Sequence, residues 1–368
     1  MSAGYSRKKG IPEGYTVVEE EAGEVLKYEI NLPLKMPKSL SPSSAAEFKN
    51  CPQSFLFQYI LGIKQPTTEA LAKGTMCHTA LENLFDLPPM ERTLDNLHDL
   101  LRKAWREARD VEPYNDLFKL QKYGSEYDET EMERDTDAER EWGLSAMNLL
   151  TNYMNLEDPT KIGVTSNDLN NPVKREMWVK ANLSLDPAAG ATYRGPHHVD
   201  ERDKSETFLV RGIVDRIDLF HDVLNGKAGM RIVDYKTGKA PNFKYSKAMN
   251  QKIADEAMWQ LKIYALLLRE MSIQGLDGAK DLPDEAELRS LRLLYLTSIS
   301  GKGQFLDFEL GREQKHRDAV LNEVHCELSD IWKEIKRLVD QQDPSAFVHC
   351  NRKFCFCHKL RPKVFGIS

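Results

Sequence analysis

With 368 residues, 41% of them apolar and 29% charged, the chain has enough apolar material to bury one large core with elaborations, so disorder is not the default reading. The formal net charge is −6, so bulk electrostatics do not mark a nucleic-acid binder, and any path for a polyanion must be a local basic strip. No stretch approaches the roughly 20 apolar residues of a membrane span. The opening MSAGYSRKKGIPEG carries no apolar signal segment, so the expectation is a cytoplasmic protein with no membrane partner.

Residues 1–39 read as an N-terminal extension in which TVVEEEAGEVLKYEINL alternates as a hairpin or edge strand would. The pattern changes at 40, where the main domain, 40–368, is predicted to begin. Ser41 is a good N-cap, Pro42 suits a first helical turn, and 44–59 has helical apolar spacing at Phe48, Phe55 and Tyr59. Gly74 to His78 leads into a helix on which His78 and Glu82 share a face. About 89–157 is charge-rich and helical in pattern, anchored by Leu100, Leu101, Trp105, Trp142, Leu144, Met147, Leu149 and Leu150. It reads as a helical insertion whose acidic run, 126–139, is solvated. A strand-like stretch, 173–185, precedes a Gly- and Pro-rich loop, 186–206. The apolar runs 208–219, 230–235 and 291–296 suit strands of one mixed sheet, and long helices are predicted over 253–270 and 313–339. The fold class is α/β, a mixed central sheet flanked by helices.

The segment Ile232-Val233-Asp234-Tyr235-Lys236-Thr237-Gly238 carries the strongest chemical signal. Strand side chains alternate, so Asp234 and Lys236 share one face and Tyr235 takes the other. A carboxylate and an ammonium side by side can hold Mg2+ or Mn2+ against a phosphate and stabilise the charge that develops there. A hard divalent cation needs further oxygen ligands. Gly212-Ile213-Val214-Asp215-Arg216-Ile217-Asp218 offers one on the preceding strand, and since Asp215 and Asp218 face opposite sides, Asp215 is chosen. Taken singly, an Asp-x-Lys is ordinarily a solvated strand face and a lone His at a helix start a cap or packed residue.

Four motifs in order resemble the RecB-like PD-(D/E)XK nucleases: Gly74-x-x-x-His78, Gly212-x-x-Asp215-Arg216-x-Asp218, Asp234-Tyr235-Lys236-Thr237-Gly238 and Gln260-x-x-x-Tyr264. The resemblance covers about residues 40–360. It implies a restriction-endonuclease-like core and a metal-dependent DNA exonuclease of recombination, repair or phage DNA processing. It also implies that His78, Asp215, Asp234 and the Tyr235 carbonyl ligate Mg2+ or Mn2+. Lys236 would be the catalytic lysine, with Gln260 and Tyr264 holding substrate and orienting the lysine region, and Glu82 a candidate partner behind His78. The substrate would be DNA, single-stranded or with free ends. Arg211, Arg216, Lys239 and Lys244, close in sequence to the metal-binding strands, are candidates for its phosphate path.

Members of that family bind a 4Fe-4S cluster through a Cys-Pro near the start of the module and three cysteines near its end. Cys51-Pro52 and Cys350, Cys355 and Cys357, in the terminal cluster 350–357, occupy those places. The trio reads Cys-x4-Cys-x-Cys, a departure from the family's spacing, and His349 and His358 flank it, so structural Zn2+ is the competing cofactor. Cys77 and Cys326 read as ordinary buried thiols. Two other functions are weighed. A non-catalytic DNA-binding subunit should have lost Asp234 or Lys236, and both are present; a helicase-nuclease needs a Gly-x-x-x-x-Gly-Lys-Ser/Thr loop, and none occurs. The chain therefore works alone or with a separate helicase or recombination protein. A site-specific endonuclease on the same fold stays open.

Overall fold

The structure is a computed structural model and describes residues 15–20, 23–119, 134–162, 171–187, 207–222, 227–280, 282–283 and 286–366. Most of the acidic run 126–139 and of the loop 186–206 lies outside the described residues. The chain divides into two compact units, one of residues 66–326 and one of 1–65 with 327–368.

The larger unit is built on a five-stranded sheet. Its strands are β3 (Asn171–Ser184), β4 (Thr207–Asp222), β5 (Lys227–Lys239), β6 (Glu287–Thr297) and β7 (Gln304–Glu309), in the order β3-β4-β5-β6-β7. The pairs β3-β4, β4-β5 and β6-β7 are antiparallel, while β5-β6 is parallel. A parallel pair needs a crossover, and α6 (Lys247–Ile273) supplies it. The sheet is mixed for that reason.

One sheet face packs on α3 (Glu69–Leu84), α4 (Leu94–Ala108) and α5 (Thr136–Leu156). Met76, Leu81, Trp105, Trp142, Leu150 and Tyr153 form a continuous core there with Val233, Tyr235, Leu294 and Leu296 of the sheet. Alternation then sends Asp234 and Lys236 to the opposite face. Most of the expected anchors of 89–157 are buried, but Leu144 is 55% exposed, because an apolar residue on a helix need not fall on the packed stripe.

In the smaller unit, β1 (Tyr15–Glu20) pairs antiparallel with β2 (Gly23–Tyr28), the hairpin of the two arrangements that the alternation allows. The expected continuous helix over 44–59 is broken. Ser41 caps α1 (Pro42–Asn50) with a capping box, and the helical path then stops at Cys51, which is extended with φ −163° and ψ 98°. The pyrrolidine ring of Pro52 crowds the helical conformation of the residue before it, and α2 (Pro52–Phe55) starts afresh. Further along the chain are α7 (Asp277–Lys280), α8 (Gln314–Asp340) and α9 (Phe356–Phe365). Cys326 on α8 is exposed, not buried as its helical spacing suggests.

Candidate active site

The β4-β5 ladder runs from the hairpin end as far as Arg216 opposite Val233. Beyond that point a side chain replaces the backbone partner: the Tyr235 N–H donates to Asp215 Oδ2 at 2.9 Å. That substitution fixes the Asp215 carboxylate at the opening between the two strands. Against it comes His78 of α3, with Nδ1 3.3 Å from the same Asp215 oxygen and Nε2 2.8 Å from the Tyr235 carbonyl. The glycine one turn earlier explains how α3 comes so close. A Cβ on Gly74 would stand 3.3 Å from Thr237 Oγ1, a tight contact that the Thr237 side chain would have to yield to by a few tenths of an ångström.

On the other side of Tyr235, Lys236 Nζ lies 2.7 Å from Asp234 Oδ2 and donates to Gln260 Oε1 at 2.8 Å. Gln260 Nε2 in turn donates to the Tyr264 hydroxyl at 2.9 Å, one turn further along α6. Asp234 is 2% exposed, and although the ammonium is at ion-pair distance, the buried Oδ2 has no aligned hydrogen-bond donor. All the residues expected in the site therefore gather at one place. Glu82 faces it from α3, and its carbonyl accepts a hydrogen bond from Arg175.

One further residue joins them. Glu176 of β3 puts a carboxylate oxygen beside His78 and Asp215, with one ligand atom from each of the three lying within 4.8 Å of the others. It gets there through a left-handed backbone, φ 45°, and such strain at a non-glycine residue is characteristic of functional positions. No feature of the sequence around Lys174 and Arg175 singles it out.

The electrostatics follow from crowding. Burial and then the Asp215 charge push Asp234 up from 3.8 to about 6, with Lys236 and His78 opposing. Burial, Asp215 and Glu82 raise Glu176 to about 7. Burial disfavours the imidazolium of His78, but the hydrogen bond and charge of Asp215, helped by Asp234, outweigh it and lift His78 to about 9. Three carboxylates share a space with too little positive charge, a condition that a divalent cation relieves.

A second network lies directly behind the site. Arg216 is fully buried, and all five of its N–H donors are used: Glu157 takes two at 2.9 Å, Asp218 two at 2.8 and 2.9 Å, and the Tyr235 hydroxyl one at 2.8 Å. Arg216 is thus no part of a phosphate path. Its charge is neutralised inside the core, where it holds the ring of Tyr235 and with it the strand between Asp234 and Lys236.

A family model described as the PD-(D/E)XK nuclease superfamily matches residues 39–358. The chain belongs to that superfamily. No curated protein matches it. As in the nuclease superfamily at large, a divalent metal and a DNA substrate go with this fold. Among the described residues no helix is long and apolar enough to cross a membrane.

The smaller unit carries another cluster. The sulfurs of Cys51, Cys350, Cys355 and Cys357 all lie within 4.8 Å of one another, and neither His349 nor His358 belongs to that set. Cys51 is the N-cap of α2, its Sγ accepting from the Ser54 N–H at 3.4 Å, and Cys355 is the N-cap of α9. Burial works against the Cys350 thiolate, yet hydrogen bonding from Arg352 outweighs it and brings that thiol down to about 6. Arg352 Nη2 also donates to Cys355 Sγ at 3.7 Å. Burial raises Cys51 and Cys357.

Proposed function

We propose that this nuclease is a Mg2+- or Mn2+-dependent DNA exonuclease acting in recombination, repair or phage DNA processing. The observation that carries the reading is the convergence of His78, Glu176 and Asp215 on one point beside the Asp234–Lys236 pair. His78, Glu176, Asp215, Asp234 and the Tyr235 carbonyl are the groups that would hold the cation. Mixed oxygen donors with one imidazole suit a hard ion, and the buried Asp234 carboxylate, crowded by Asp215, fits a site completed by one. Bound there, a divalent cation supplies positive charge against the charge that develops on the scissile phosphate.

The protein's own groups do the rest. Lys236, held between Asp234 and Gln260, presents its ammonium to the phosphate side of the site, where it orients the attacking water and stabilises the developing negative charge. Gln260 and Tyr264 fix the direction of that ammonium. Arg216, through Tyr235, keeps β5 rigid between its two reactive side chains. End-directed cleavage is supported by the order of the four motifs and the placement of the cysteines, both of which resemble the RecB-like exonucleases. Substrate topology tests it. With Mg2+ the protein should degrade linear DNA and leave covalently closed circles intact; nicking or linearisation of circles would make it an endonuclease.

The four cysteines are proposed as a structural metal centre. A single tetrahedral ion with bonds of about 2.3 Å holds its sulfurs about 3.8 Å apart, whereas a 4Fe-4S core interposes iron and sulfide and spreads them further. The grouping of the four sulfurs supports a metal centre of either kind, and the placement of the cysteines along the chain supports the 4Fe-4S cluster, with structural Zn2+ as the alternative. About four irons per chain in a brown protein are expected. One zinc per chain without iron would establish the zinc site instead.

A further inference from the structure

The loop that leaves the end of β5 differs in character from the rest of the chain. Between Asp234 and Asp255 stand Lys236, Lys239, Lys244, Lys247 and Lys252, with no aspartate or glutamate, in a protein whose net charge is −6. Lys239, Lys244 and Lys247 are exposed. Two aromatic residues are set among them. Phe243 and Tyr245, with Lys247, Asn250 and Gln251 of the first turns of α6 and Leu306 of β7, line a cavity of about 530 Å³. Tyr245 is 58% exposed, so its ring is open to a ligand from solvent.

The loop that lines the cavity is pinned by hydrogen bonds from one side chain. The Asn250 side chain donates to the carbonyls of Phe243 at 2.8 Å and Tyr245 at 3.1 Å and accepts from the Tyr245 N–H at 3.2 Å. Ser246 caps α6, accepting from the Met249 N–H. The two rings are therefore presented by a pinned loop, at little ordering cost to a ligand. The site also lies near the chemistry. Ten residues of α6 separate Asn250 from Gln260, about 15 Å along the helix, a span of only a few nucleotides.

We propose that this pocket takes an unpaired nucleobase of the DNA substrate between Phe243 and Tyr245 while the neighbouring lysines hold the flanking phosphates, which makes single-stranded DNA the substrate of this nuclease. The inference deepens the nuclease reading above and rests on it. Aromatic rings interleaved with lysines grip a single strand because every base has a face to stack and every nucleotide a phosphate to neutralise. A duplex keeps its bases paired and stacked, so it has phosphates for the lysines and nothing for the pocket.

The test is binding without cleavage. Anisotropy of a short fluorescent oligothymidylate is titrated in EDTA with wild type, Tyr245→Ala, Phe243→Ala and Tyr245→Phe, beside a duplex of equal length. Each alanine variant should bind the single strand about tenfold more weakly and the duplex as wild type does, with Tyr245→Phe close to wild type. An abasic site moved along the oligonucleotide should weaken wild-type binding at one register and leave Tyr245→Ala indifferent to it. Undiminished single-strand affinity in Tyr245→Ala, or an equal loss on both DNAs, would overturn the proposal, as would a wild type that binds no single strand. Failure of the nuclease reading looks different: wild type with Mg2+ would cut no DNA at all, whatever the binding data.

Discussion

Replacing Asp234 with asparagine should abolish cleavage and yet make the metal-free protein more stable. The carboxylate is buried, and in the fold its pKa rises from 3.8 to about 6 even with the Lys236 ammonium 2.7 Å away, so the favourable ion pair is already counted and the net effect is unfavourable. That rise corresponds to about 3 kcal/mol of cost for the ionised form. The folded state binds this proton more tightly than the unfolded state, so stability falls as pH rises from about 4 to about 6 and stays low above that. The substituted side chain carries no charge and Lys236 keeps Gln260 as partner, so Asp234→Asn should melt a few degrees above wild type in EDTA at pH 8, and the difference should vanish near pH 4. Added Mg2+ should raise the melting temperature of wild type and not that of the variant. Differential scanning fluorimetry across pH, with and without metal, reads all of this. A variant less stable than wild type in EDTA at pH 8 would refute the argument, because Asp234 would then be a structural residue and not one strained for a cation.

Three other outcomes follow from the geometry. Arg216→Gln should cost about 3 to 5 kcal/mol in denaturant unfolding, since it leaves Glu157 and Asp218 as uncompensated buried charges, whereas a normal midpoint with a flatter salt dependence of DNA binding would restore Arg216 to the phosphate path. Mg2+ affinity, measured by calorimetry, should increase from pH 6 to pH 9, because the cation competes with protons on Asp234 at about 6, Glu176 at about 7 and His78 at about 9; a flat profile would remove these groups from the ligand set. Cys51→Ser should release the bound metal and lower the melting temperature without changing the chemistry at Lys236; full metal content in that variant would show that the thiol is no ligand.

Much of the site was legible because its residues sit where local rules are strict. The alternation of a buried strand forces Asp234 and Lys236 to one face, and a four-residue helical step forces Gln260 and Tyr264 to one side of α6. Glu176 was not legible, because the feature that aims it is a left-handed backbone inside a strand, and neither Lys174 nor Arg175 forecasts that conformation. Arg216 was misread for a related reason. A basic residue beside an active site looks like a phosphate ligand until its acceptors are known, and Glu157, one of them, stands 59 residues away in the chain. The short strand β7 and the break at Cys51 also escaped the periodicity argument: six residues give little pattern, and the effect of Pro52 falls on the residue before it.

The most direct measurement is cleavage of end-labelled single-stranded DNA by wild type, Asp215→Ala and Lys236→Ala, each verified as folded, with Mg2+ or with EDTA. Wild type should release short labelled products only with metal, and both variants should fall by orders of magnitude while still binding the strand. Cleavage near the wild-type rate by either folded variant, or by wild type in EDTA, would contradict the assignment of this site.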